Sequence, residues 1–126
     1  MSDFRNLPVW RKSHYLTLAV YRATKLFPLE ELFGLTSQMQ RSAALIPVNI
    51  ALGWRQTASS GANRFLEVAM GSASELRQGS FIAHQRGLLS EDAHEKLAEE
   101  IDEVRQMLRG LLEEKEARRA ASAGKS

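Results

Sequence analysis

The chain has 126 residues, 44% of them hydrophobic and 25% charged, which suits one soluble globular domain with one core. Cysteine is absent, so disulfides, thiolate catalysis and Cys-ligated metal centres are excluded. Formal net charge is only +2, but residues 1–65 carry eight Lys/Arg against three Asp/Glu, and residues 66–126 carry nine against twelve. One half is basic and the other acidic, which fits either a polyanion held on one side or unlike-charged helices packed side by side. No apolar run reaches the ~20 residues needed to cross a bilayer. The stretch Met1 to Lys12 carries Asp3, Arg5, Arg11 and Lys12 with no apolar segment behind them, unlike a signal peptide. A cytoplasmic location is expected.

Four segments carry helical patterning. The first is expected from Pro8, which suits a first helical turn, to Phe27, where Pro28 stops it. Trp10, His14, Leu18 and Tyr21 recur at 4, 4 and 3 residues, and Val9, Leu16, Val20, Ala23 and Phe27 widen that apolar face. After a connection over Glu30 to Gly34, Thr36 is a candidate N-cap for a second helix reaching Thr57. Its stripe is Met39, Ala43, Ile46, Ile50 and Trp54, and it stays in phase past Pro47, which should bend the helix without ending it.

Ala58 to Ala62 reads as a turn, and a third helix is expected from Asn63 to Leu88. Ala69, Ser72, Ala73, Leu76, Ser80 and Ala83 give that helix a face of small residues. Gly71 and Gly79 each cost ~1 kcal/mol of helix propensity relative to alanine, and close packing is the expected compensation for both. Ser90 caps a fourth helix, with Glu91 and Asp92 in its first turn. Leu97, Ile101, Val104, Leu108 and Leu111 repeat at 4, 3, 4 and 3, a coiled-coil-like seam. Residues 1–116 are expected to form an antiparallel up-down-up-down bundle, all-α, and residues 117–126 a frayed tail.

Catalytic and metal patterns are weak. Glu91 and His94 give one Glu-x-x-His pair, whereas a carboxylate-bridged di-metal bundle needs two. His94 and Glu95 lack the second histidine of a His-Glu-x-x-His zinc site, since position 98 is alanine. No glycine-rich phosphate loop follows a strand. His14, His84 and His94 fall on three different helices with no nucleophile signature around them, and His14, on the apolar stripe of the first helix, reads as a partly buried histidine with its nitrogens satisfied. No enzyme, cofactor or metal is expected.

Two polar features suggest binding. In the second helix Gln38, Arg41, Leu45, Asn49, Leu52 and Gln56 share one stripe at 100° per residue. A mixture of Arg, Asn, Gln and Leu resembles a subunit interface more than a solvated face. Arg11, Arg22 and Lys25 recur on one side of the first helix, away from the Trp10 stripe. With Arg41, Arg55 and Arg64 they could meet phosphates without reading sequence. No helix-turn-helix spacing or sheet-borne stacking aromatic is present.

Together these segments resemble the bacterial family encoded in 23S ribosomal RNA intervening sequences, often labelled four helix bundle proteins. The resemblance rests on Phe27 and Pro28, then Glu31, Phe33, Gly34 and Leu35, leading into Gln38, Arg41, Ser42 and Ala43. Ile46, Pro47, Asn49, Ile50, Ala51 and Gly53 match the family's IPxNIAEG core. Arg64, Phe65, Leu66, Ala69, Gly71, Ser72, Glu75 and Leu76 match its third-helix pattern. Leu7, Val9, Trp10, Lys12, Tyr21 and Thr24 fit its first helix, so the similarity spans roughly residues 4 to 112. Leu52 stands where the family usually has Glu, so no role of that carboxylate carries over. Arg77 and Gly79 also depart from the pattern. The resemblance implies a homopentameric ring around a channel, an association with RNA or DNA, and no enzymatic activity. The accessory protein of diversity-generating retroelements is similar in fold, and through it the resemblance implies a basic nucleic-acid surface and a reverse transcriptase as a possible protein partner. The competing expectation is a protein-interaction scaffold that does not touch nucleic acid.

Overall fold

The computed structural model describes residues 3–55 and 61–124. Four α-helices carry the fold: α1 (Pro8–Thr24), α2 (Ser37–Arg55), α3 (Gly61–Gln85) and α4 (Glu91–Gly124). No strand occurs among the described residues. Cross-helix contacts show that neighbours run antiparallel. Thr17 and Thr24 of α1 bond to Ala43 and Gln40 of α2, and Gly79 of α3 lies against Met39 of α2. Arg77 and His84 of α3 reach Asp102 and Glu91 of α4, and Lys12 of α1 pairs with Glu103 of α4. The architecture is the four-helix bundle that the patterning predicts. No helix among the described residues is long and apolar enough to cross a membrane.

The core follows the predicted seams in three helices. Met39, Ala43, Ile46 and Ile50 of α2 are fully buried, as are Ile101, Val104 and Leu108 of α4. Ala69, Ser72, Ala73, Leu76, Ser80 and Ala83 of α3 are buried too. Each large aliphatic side chain so enclosed contributes ~1.5–3 kcal/mol relative to leaving it in water.

The first helix differs. Its core line is Val9, Ser13, Leu16, Val20 and Thr24, whereas His14, Leu18 and Tyr21 of the expected stripe face solvent and Trp10 is half-buried. The reason lies in two hydroxyl residues that a hydropathy pattern counts as polar. Ser13 Oγ donates to the Trp10 carbonyl at 2.8 Å, and Thr24 Oγ1 to the Val20 carbonyl at 2.8 Å. With their hydrogen bonds closed inside the helix, both side chains are buried at little cost, and the whole face turns inward.

Pro47 lies inside α2, and the helix continues through it. Proline has no N–H, so the Ala43 carbonyl one turn earlier loses its helical donor. Thr17 Oγ1 of α1 lies 3.1 Å from that carbonyl oxygen and 2.9 Å from the carbonyl of Ser13, sharing its proton between them. The defect is thus repaired from the neighbouring helix, and the repair ties α1 to α2.

Helix ends depart from expectation for local reasons. Thr36 is not the N-cap of α2: it closes a π-helical turn, Leu32–Thr36, in which Gly34 leaves the helical dihedral region. Its buried hydroxyl has no partner among the described residues, and Ser37 Oγ donates to the Gly34 carbonyl instead. The third helix stops at Gln85, short of Leu88, because Gly87 adopts φ +78°. The Leu88 N–H then bonds the Ala83 carbonyl at 2.8 Å and the Gly87 N–H bonds that of His84 at 3.0 Å, a Schellman closure. Ser90 caps α4 as expected, accepting from the Ala93 N–H. The fourth helix continues to Gly124, past the expected end at Glu116, and every residue from Glu116 to Ala123 is exposed. Gly61 and Ala62 belong to α3 and not to the expected turn; Ala58, Ser59 and Ser60, like the expected end of α2 at Thr57, lie outside the described residues.

The two helical glycines also separate. A Cβ on Gly79 would sit 2.9 Å from Met39 Cγ, so close approach of α2 and α3 requires glycine there. At Gly71 nothing lies within 4 Å of the same position, and the residue is exposed. The expected packing compensation therefore holds for Gly79 and fails for Gly71.

Candidate nucleic-acid interface

The helices α1 and α2 contain no Asp or Glu at all. The basic residues they carry face outward because the inward positions are filled by aliphatic and hydroxyl side chains. Arg11, Arg22, Lys25, Arg41, Arg55 and Arg64 are all exposed, and none has a carboxylate within ion-pair distance among the described residues. Several other cations are neutralised. Arg77 and Arg105 share Asp102 at 3.3 Å each, Arg118 meets Glu114 at 2.7 Å, Lys12 meets Glu103 and Arg86 meets Glu31.

Antiparallel packing sorts the free cations to two ends of the α1–α2 pair. Gln40 Nε2 donates to Thr24 Oγ1 at 2.9 Å, which puts Arg41 and Lys25 at the same end. Arg55 closes α2 at the opposite end, near the start of α1. Arg64 stands alone on α3. The structure thus places Arg22, Lys25 and Arg41 at one end of the α1–α2 pair and leaves Arg11 at the other, with Arg55, while Arg64 lies in the first turn of α3. A shallow groove between α1 and α4, lined by Arg22, Lys96 and Glu100 beside Ala19, Ala23, Ala93 and Leu97, adds a further cation beside Arg22.

Charge elsewhere is held by local partners. The Arg86 guanidinium hydrogen-bonded to Glu31 keeps that carboxyl below its ordinary range, and Arg5 does the same for Asp3. Lys115 lies over the Trp54 ring at 5.7 Å, and burial against it pushes the ammonium pKa down.

The α2 stripe proposed as a subunit contact is only partly on the surface. Gln38, Arg41 and Leu52 are exposed and Leu45 is half-buried. Asn49 is buried, and its Nδ2 donates to the Leu45 carbonyl at 2.8 Å, so its amide serves the helix itself. Gln56 lies outside the described residues. The outward line is Arg41, Val48, Leu52 and Arg55. Val48, at 51% exposure, was missed because a valine next to the Ile46–Pro47 core reads as core.

Two histidines read as isolated come together. The His84 and His94 rings stack at 4.6 Å with 1° between planes. His84 Nδ1 donates to the Leu89 carbonyl at 3.3 Å while Nε2 sits 3.0 Å from Glu91, and His94 Nδ1 shares a hydrogen bond with Ser80 Oγ at 3.1 Å. The available signal was that both lie within a turn of the α3–α4 hairpin. Ser80 is fully buried, and the cluster ties the end of α3 to the start of α4.

Among known families, the model described as 23S rRNA-intervening sequence protein matches residues 5–110. No curated protein matches the chain.

Proposed function

The chain belongs to the 23S rRNA-intervening sequence protein family, and we propose that it is a non-enzymatic, cytoplasmic, homo-oligomeric module that holds RNA or DNA on the basic side of its bundle. The observation that carries this reading is the set of exposed, unpaired cations on two helices devoid of carboxylates. A polyanion supplies the missing counter-charge and releases condensed counterions as it binds. The exposed line Arg41, Val48, Leu52 supports self-assembly through α2, and a five-fold ring is the assembly proposed. The burial of Ser80 beside His94 supports a role without turnover.

The test is oligonucleotide binding across a salt series. If about six phosphates are neutralised, affinity falls ~10³-fold between 50 and 200 mM salt. Binding that ignores salt, or no binding to either RNA or DNA, refutes the proposal. For assembly, Arg41→Glu with Leu52→Asp should lower the molar mass in light scattering while helicity is kept. An unchanged mass removes α2 from the contact.

A second reading, a protein-interaction scaffold, has one observation in its favour. Leu26, Leu29 and Phe33 are 87%, 82% and 95% exposed in the α1–α2 connection, an apolar cluster that phosphates do not explain. Recovery of one protein partner from nuclease-treated lysate, lost on Phe33→Ser, would favour it.

A further inference from the structure

The turned-out face of α1 carries more than charge. Arg11, Tyr15, Leu18, Arg22 and Lys25 are spaced 4, 3, 4 and 3 residues apart, so they form a single line ~21 Å long on the solvent side. His14 and Tyr21 flank it. Tyr15 is 61% exposed, Tyr21 47% and Leu18 41%. These rings are organised in advance: Phe4 meets Trp10 edge-on at 5.2 Å, Trp10 stacks on His14 at 5.0 Å and 9°, and His14 meets Tyr15 at 5.6 Å and 64°. An aromatic ladder therefore rises from the half-buried Trp10 to exposed His14 and Tyr15, with Arg11 before it and two further cations beyond.

Resting on the reading of a nucleic-acid module, we infer that this face of α1 binds single-stranded nucleic acid, its bases stacking on Tyr15 and its neighbouring rings and its phosphates meeting Arg11, Arg22 and Lys25. Phosphate charge alone does not call for aromatic side chains. A duplex keeps its base faces stacked internally and offers phosphates and groove edges, from which an exposed tyrosine face gains little. A single strand offers unstacked bases beside a charged backbone, the combination to which interleaved rings and cations are complementary. A second copy of the chain is the less fitting occupant. Three like charges with no acid on the helix would face their own kind across a two-fold contact. Across the unlike faces of a ring, the outward rings of Tyr15 and His14 would still lack the unstacked bases they complement, and the molar mass of Tyr15→Leu tests a ring contact directly.

The experiment measures fluorescence anisotropy of labelled 20-nucleotide U and dT strands and of a 20-base-pair DNA duplex, at two salt concentrations, with the full chain and with Tyr15→Leu. Tyr15 is exposed, so leucine leaves the fold intact, and far-UV circular dichroism checks this. Both single strands are expected to bind at least tenfold more tightly than the duplex. Tyr15→Leu should weaken them about tenfold while leaving duplex binding and the salt slope unchanged, since a stacking surface is lost and no phosphate contact is. An equal effect on strand and duplex, or none, overturns the stacking inference and leaves the broader nucleic-acid reading standing. A changed molar mass for Tyr15→Leu overturns it as well, by making the face a subunit contact. Failure of every probe to bind at low salt removes both.

Discussion

Gly71 and Gly79 sit eight residues apart on α3 and look equivalent in the sequence, but alanine should act on them with opposite sign. Replacing a helical glycine by alanine gains ~0.8–1.0 kcal/mol of propensity. At Gly71 nothing opposes that gain, because the new Cβ meets no atom within 4 Å. Gly71→Ala should therefore stabilise by ~0.5–1 kcal/mol. At Gly79 the Cβ would lie 2.9 Å from Met39 Cγ, and Met39 is fully buried, with its tip already against the same spot. Forcing a methyl into a packed core costs ~1–3 kcal/mol, so the net effect is a loss of ~0–2 kcal/mol. The two variants should differ by ~1–3 kcal/mol, or roughly 3–10 °C in melting temperature for a domain of this size. Urea and thermal denaturation followed by circular dichroism, at one fixed protein concentration, would measure it. In a Met39→Ala background the Gly79→Ala penalty should vanish, giving a coupling energy of similar size. If Gly79→Ala stabilises as much as Gly71→Ala, the close approach of α2 and α3 is not as described.

Thr17→Val keeps the shape of the side chain but removes the donor that serves the Ala43 carbonyl orphaned by Pro47. A loss of ~1–3 kcal/mol in urea unfolding with an unchanged m value is expected, and an unaltered midpoint would show that the carbonyl needs no such donor. The depressed Glu31 carboxyl binds its proton less readily folded than unfolded. Its pairing with Arg86 therefore stabilises the fold above the ordinary carboxylate range and ceases to do so as pH falls through the lowered folded value. Glu31→Gln should flatten part of the acid limb of a stability–pH curve, and an acid limb identical to that of the parent would argue against the pair.

Much of the candidate interface was legible. A cation count by halves and the 11- and 3-residue spacing of Arg11, Arg22 and Lys25 locate the basic side, and the structure leaves those residues exposed and unpaired. The aromatic contribution was not legible. Trp10, His14, Leu18 and Tyr21 have the spacing of a buried stripe, and nothing in the spacing says which of two overlapping apolar faces on α1 turns inward. Ser13 and Thr24 decide it, since hydroxyls satisfied by their own helix are buried as readily as small apolar groups. Asn49 failed in the opposite sense, as a polar residue in a surface stripe whose amide turns back to Leu45.

Sequence periodicity alone determined the all-helical bundle, the α2, α3 and α4 seams and the cap at Ser90, because each depends on the 3.6-residue repeat or on bonds within a few residues. Tertiary structure decided which α1 face is core, which glycine is required, how the Pro47 defect is healed and that His84 stacks on His94. Each of those outcomes is set by an atom on another helix or by competition between two faces. Such information is absent from any single segment and arises only when the four helices settle against one another.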